Sequence, residues 1–227
     1  MDAAPRPLDQ TSPALGWASR ALALLSPPGL PHRRRAVLGI AGSPGAGKTT
    51  FAHQLALGVN QLAGAGTAVV VPMDGFHLAN ATLDLLALRG RKGAIETFDA
   101  WGFLALVSRI AAAPAHTIYA PAFDRAVDEG VAGSIAIPPS AQLVIIEGNY
   151  LLVDERPWAS LAALFTETWF IETPPELRLR RLVERHMLHG KSRVDALAWA
   201  TEIDGANAKL IEATAARATR RVSGDQQ

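Results

Sequence analysis

Between residues 42 and 49 the chain reads Gly-Ser-Pro-Gly-Ala-Gly-Lys-Thr, which meets the spacing G-x-x-x-x-G-K-[ST] at every fixed position. Glycines so spaced let successive backbone N–H groups turn inward around phosphate oxygens, and a helix opening at the lysine aims its positive end at the same point. Lys48 would reach the terminal phosphates of a nucleoside triphosphate, and the Thr49 hydroxyl is placed for a magnesium ion. Gly42, Ser43, Pro44, Gly45, Ala46 and Gly47 form the cradle, while Thr50 either approaches a phosphate or simply opens the helix. A glycine-rich turn that happens to precede a lysine would share the letters. Here the match follows an apolar run and opens a helical one, the context a phosphate loop needs.

Such a loop serves switches, motors and transferases alike, so other residues must decide. Asp74, in VVVPMDGFH, and Glu147, in LVIIEGNY, each follow an apolar run. In an open α/β sheet that puts both at carboxyl ends of strands, where ligands sit. A lone acid there is usually a solvated strand end. Beside a triphosphate loop the pair fits phosphoryl transfer, which needs one oxygen group for hydrated magnesium and one to receive the acceptor's hydroxyl proton. Next to Asp74, Gly75 permits close approach and Phe76 offers an apolar wall. His77 is either a hydrogen-bonding partner of a hydroxylated substrate or a satisfied structural histidine.

The elements that must position these groups follow from periodicity. After a loose tail over residues 1–13, LGWASRALALL has helical spacing and SPPGLP stops it. RAVLGIAG, GTAVVVPMDG, QLVIIEGNYLLV and TETWFIET read as buried strands; KTTFAHQLALGVNQLA, FDAWGFLALVSRIAAA and PPELRLRRLVERHMLHG read as helices, with a short helix near WASLAALF. HTIYAP and GVAGSIAIP are short strands about a turn, and a last helix runs through RVDALAWATEIDGANAKLIEATAARATRR with a break at Gly205. Strands alternating with helices predict an α/β fold, a doubly wound parallel sheet covered on both faces, in a single domain over residues 14–227.

Bulk properties narrow the function. Of 227 residues, 22 are Lys or Arg and 21 Asp or Glu, so no global field draws in nucleic acid or an anionic membrane. With no cysteine, disulfides and thiolate metal sites are excluded. ALALL is too short for a signal-peptide core, and no run of about 20 apolar residues occurs, which predicts a cytoplasmic protein.

Taken in order, GSPGAGKTT, MDGFH, IIEGNYLL and RLRRLVERH resemble the P-loop kinases that include uridine kinase, phosphoribulokinase and bacterial pantothenate kinase. KGAIETFD, FDR, EGNYLL and a D-x-x-NA stretch most resemble the bacterial nucleoside/nucleotide kinase-like proteins labelled fructose-transport-system kinases or fructokinases, over roughly residues 15 to 222. The resemblance implies a kinase using ATP and Mg²⁺ on a small-molecule acceptor, with a helical lid and a β-hairpin by the acceptor pocket, and it allows a homodimer. It makes Asp74 the catalytic base and sets Glu147 beside the metal with Thr49. Arg178, Arg181 and Arg185 fall on one stripe of their helix at i, i+3 and i+7, either a solvated face or a lid over the triphosphate. The resemblance favours the lid, with Arg178 on ATP and Arg181 and Arg185 assisting transfer. Acceptor contacts are expected from Phe76, His77, Tyr119, Arg125, Asn149 and Asn207, although Arg125 could pair with Asp124 and Asn207 could cap a helix. The segment after Arg185, HMLHGKSR, departs from uridine kinases, and Ala215 departs from pantothenate kinases. The expected reaction is therefore phosphorylation of a hydroxyl on a sugar such as fructose, a nucleoside or a pantothenate-like compound. The alternatives are an ATP-binding regulatory module linked to sugar transport, and an NTPase switch or motor.

Overall fold

The run AVLGIAG carries no group that needs water, and β1 (Ala36–Gly42) is buried along its whole length. The computed structural model, which describes Leu8, residues 13–25 and residues 35–224, places β1 at the centre of a five-stranded sheet. With β2 (Ala68–Pro72), β5 (Leu143–Gly148), β6 (Glu167–Glu172) and β7 (Arg220–Ser223) the order is β2-β5-β1-β6-β7, every pairing parallel. β1 has β5 on one side and β6 on the other, so chain connections diverge at its carboxyl end and open a crevice there.

Alternation along β1 divides the core. Val37 and Ala41 face a cluster that includes Phe103 and Ile110 of α4 (Ala100–Ala111), whereas Leu38 and Ile40 face Phe51 and Leu55 of α2 (Lys48–Ala63) and Ala18 of α1 (Pro13–Leu22). On the second face Trp17, Phe51 and the fully buried Trp169 meet with ring centroids 5.3 to 6.1 Å apart, each such burial contributing about 2 kcal/mol. A separate antiparallel pair, β3 (Ile118–Asp124) and β4 (Glu129–Ile137), lies across the first face. The remaining helices are α3 (Asn80–Leu85), α5 (Pro175–Leu188) and α6 (Arg193–Glu212). α5 closes on Gly190, whose φ of 91° is left-handed, and Ser192 caps α6 by accepting from the Asp195 amide at 3.2 Å.

Several boundaries differ from expectation. The strand through VVVPMDG ends at Pro72, and Met73–Phe76 forms a 3-10 turn, so Asp74 sits on a turn just past the strand. LVIIEGNYLLV likewise stops as a strand at Gly148, and the WASLAALF helix is 3-10 over Trp158–Ala163. α6 does not break at Gly205: Ala200, Asp204, Ala208 and Ile211 are buried on one side of it, and that packing outweighs the roughly 1 kcal/mol helix penalty of glycine. The predicted helix instead stops at Glu212, and the chain turns back as β7. The SPPGLP stop and most of the 1–13 tail lie outside the described residues. Leu8, however, is hydrogen-bonded in both directions to Gln61, and α1 begins at Pro13.

Candidate active site

The phosphate loop runs from the end of β1 into α2. Gly45 and Gly47 hold φ of 75° and 92°, conformations L side chains rarely adopt, so the loop curls back on itself before Lys48 starts the helix. A Cβ on Gly45 would meet the carbonyl oxygen of Arg178 at 2.9 Å, because α5 packs directly on the loop. Pro44, Gly45, Gly47, Lys48, Thr49 and Thr50 line a cleft of about 700 Å³ at the carboxyl edge of the sheet. Gly42, Ser43 and Ala46 stand behind the loop: the Ser43 hydroxyl donates to Glu212, and the Ala46 carbonyl accepts from Thr173 at 3.0 Å.

Lys48 is buried, and its ammonium donates to Asn149 Oδ1 at 2.6 Å and to the Ser43 carbonyl at 3.2 Å. Burial lowers its pKa, while Glu147 and Asp74 push the other way. Glu147, 4% exposed, accepts from the Thr49 hydroxyl at 2.9 Å. Burial first, and the neighbouring Asp74 second, push its carboxyl up to about 7. Asp74 lines the same cleft. Among the described residues no group of three or more His, Cys, Asp or Glu side chains could cage a metal. One hydroxyl and one carboxylate suit magnesium, which takes its other ligands from phosphate and water.

Opposite the loop stands the acceptor wall. The hairpin lies on the Asp74 turn: a Cβ on Gly75 would overlap the Pro121 carbonyl, and one on Gly130 would overlap the carbonyl of Gly75. His77 is held between the rings of Phe98 and Phe123, with centroids 4.1 and 4.9 Å away. Its Nδ1 lies 2.7 Å from the carbonyl oxygen of Asp74. A carbonyl only accepts, so Nδ1 carries the proton and Nε2 is left as an acceptor. Burial lowers the pKa of this imidazole and favours that neutral form. From α6, Asn207 Nδ2 donates to the Gly93 carbonyl at 3.2 Å, which also accepts from the Tyr150 hydroxyl at 2.7 Å.

Of the lid arginines, Arg181 and Arg185 line the cleft. Arg178 does not reach it. Its guanidinium is turned into an ion pair with Glu212 and a hydrogen bond to the Thr173 carbonyl at the back of the loop, and its charge still acts on Lys48. Two acceptor-side candidates also fall outside. Tyr119 is 62% exposed and off the cleft, and Phe76 packs edge-on against Phe103. His77, Arg125, Asn149 and Asn207 do line it. Asp124 accepts from the Ala126 amide at 2.8 Å and makes no ion pair with Arg125. Residues the sequence reading passed over join them: Phe98, Phe123, Trp199 and Asp204, with His186 Nε2 2.7 Å from Asp204 Oδ2. The D-x-x-N spacing of Asp204 and Asn207, which puts both on one helical face, was the available signal.

Comparison with known proteins agrees with this geometry. The family described as Phosphoribulokinase / Uridine kinase matches residues 37–206. A protein of Schizosaccharomyces pombe named "Putative uridine kinase C227.14" is 34% identical over 71% of this chain and 70% of its own length. The protein YggC of Escherichia coli is 35% identical over 79% of this chain and 73% of its own. The crystal structure of a "putative fructose transport system kinase" from Silicibacter sp. TM1040 superposes with a TM-score of 0.83 at 36% identity, covering 93% of this chain and 99% of that one. A phosphate loop facing strand-end carboxylates, on a sheet that these relatives share, makes this chain an ATP-dependent kinase belonging to the phosphoribulokinase/uridine kinase family.

Proposed function

We propose that this kinase transfers the γ-phosphoryl group of ATP to a hydroxyl of a small metabolite, with a sugar, a nucleoside or a pantothenate-like compound as the candidate classes. What carries the reading is that Asp74 shares one cleft with Lys48 and Glu147 and lies near enough to shift the pKa of both. As the acceptor oxygen bonds to phosphorus, the bond to the bridging oxygen of ADP breaks and the hydroxyl proton passes to the Asp74 carboxylate. Lys48, steadied by Asn149, meets the terminal phosphates through the loop's inward amides. Arg181 and Arg185 offer positive charge where it builds on the transferring group, and α5 above the loop helps to keep water out. Thr49 and Glu147 would hold magnesium, which when bound draws negative charge from the phosphates.

The test is a supply of ATP and Mg²⁺ with candidate acceptors, followed by phosphorus NMR. ADP release should depend on the acceptor, and the product should carry the phosphoryl group. Nucleotide binding without transfer to any hydroxyl compound would favour the regulatory module.

A further inference from the structure

The arginines on one stripe of α5 differ in what holds them. Arg178 is fixed by Glu212 and the Thr173 carbonyl, and Arg181 by the carbonyl oxygens of Gly45 and Gly224, each 3.4 Å away. Arg185 lines the cleft and its charge acts on Lys48, yet it makes no hydrogen bond or ion pair among the described residues. Nor does the core hold it. Leu182 is the last buried residue of α5, and beyond Arg185 the side chains of Met187 and Leu188 are 44% and 84% exposed. A helix end with no buried face frays, because few contacts oppose its local opening.

What ties this end down is the residue next to Arg185. His186 directs Nε2 at Asp204 Oδ2, 2.7 Å away, with the two side chains only 14% and 11% exposed. A carboxylate accepts and does not donate, so Nε2 carries the proton, and the low exposure of both groups strengthens the bond. Asp204 is itself well anchored. It lies on the side of α6 that buries Ala200, Ala208 and Ile211, and one turn on, Asn207 donates to the Gly93 carbonyl at 3.2 Å. Lys191, just past the end of α5, lies over the Trp199 ring of α6 at 4.1 Å, a second and weaker contact between the same two helices.

We infer that Asp204 is a positioning residue: through His186 it fixes the last turn of α5 and so keeps Arg185 directed at the transferring phosphoryl group of ATP. It touches no reacting atom. This rests on the kinase reading, in which Arg185 meets that group, and names the residue of another helix on which the contact depends.

The test needs no acceptor. With Mg²⁺ present, calorimetry compares affinities for ADP and for the imido analogue of ATP, which adds the phosphoryl group that Arg185 would meet. Arg185→Ala should lower the preference for the analogue over ADP by about tenfold. Asp204→Ala and His186→Ala should each lower it by about threefold to tenfold, with ADP affinity retained as the sign of a folded protein. The double variant is decisive: Asp204→Ala added to Arg185→Ala should cause no further loss, since the carboxylate acts through the arginine. A carboxylate that only stabilises the fold would lower both affinities together or add its loss to that of Arg185→Ala, and either result would overturn the inference. An unchanged preference in Asp204→Ala or in His186→Ala would overturn the positioning role alone. An unchanged preference in Arg185→Ala would overturn the role of Arg185 in the kinase reading as well.

Discussion

Glu147 carries the most distinctive electrostatics of any residue in the cleft. Its carboxyl is lifted from 4.5 to about 7, so between those values the folded protein keeps a proton that the unfolded chain has released. Stability therefore falls as pH rises through that window. Glu147→Gln should remove this slope: thermal unfolding without Mg²⁺ or nucleotide at about pH 5 and about pH 8 should show the wild type losing more stability than the variant. Parallel behaviour would mean Glu147 is not buried as described. The same titration should weaken Mg²⁺ binding as pH falls below about 7, because the ion must then displace the proton that burial holds on Glu147. At this scale the sequence was most legible where chemistry is local. The residues of the loop from Pro44 to Thr50 follow one another in the chain, and Asp74 and Glu147 each end an apolar run. The partner of Arg178 is set non-locally. Its helical stripe matches that of Arg181 and Arg185, but Glu212, 34 residues later, captures its guanidinium.

Among the elements, the hairpin and the Asp74 turn behave as one unit, because their backbones touch at Gly75 and Gly130. Gly75→Ala forces the hairpin away from the turn, and should cost about 1–3 kcal/mol of stability and lower kcat, read by denaturant unfolding and steady-state kinetics. The acceptor segment is tied in another way, through the Gly93 carbonyl shared by Asn207 and Tyr150. Tyr150→Phe removes one donor and should cost about 1 kcal/mol, appearing mainly as a raised KM for the acceptor with little change in the KM for ATP. Long periodic elements could be read from the sequence: KTTFAHQLALGVNQLA is α2 to the residue. Short ones could not. α3 has six residues, and β7 is a four-residue strand containing two arginines, so neither shows a periodic apolar pattern of useful length. Gly205 failed as a breaker because α6 packs along α5 and buries Ala200, Asp204, Ala208 and Ile211 on either side of it in the chain.

At the level of the whole molecule, the C-terminal strand joins the back of the site to the sheet. β7 extends β6, the Gly224 amide donates to the Glu172 carbonyl at 2.7 Å, and the Gly224 carbonyl accepts from Arg181. Val222 is buried in the cluster with Trp169 and Ile171. Val222→Ala should cost about 2 kcal/mol and lower Tm by several degrees in calorimetry, with some loss of Arg181's contribution to turnover. The doubly wound sheet was legible because alternating apolar strands and helices leave few architectures open. The far wall of the cleft was not, since it is made where α6 folds back over residues 89–97, a contact between segments over 100 residues apart. The central claim is that Asp74 takes the acceptor's proton in a site built around the phosphate loop, and Asp74→Asn tests it most directly. With ATP affinity unchanged by calorimetry, phosphoryl transfer to the acceptor should fall by about 10²–10⁴-fold; transfer at the wild-type rate would contradict the account.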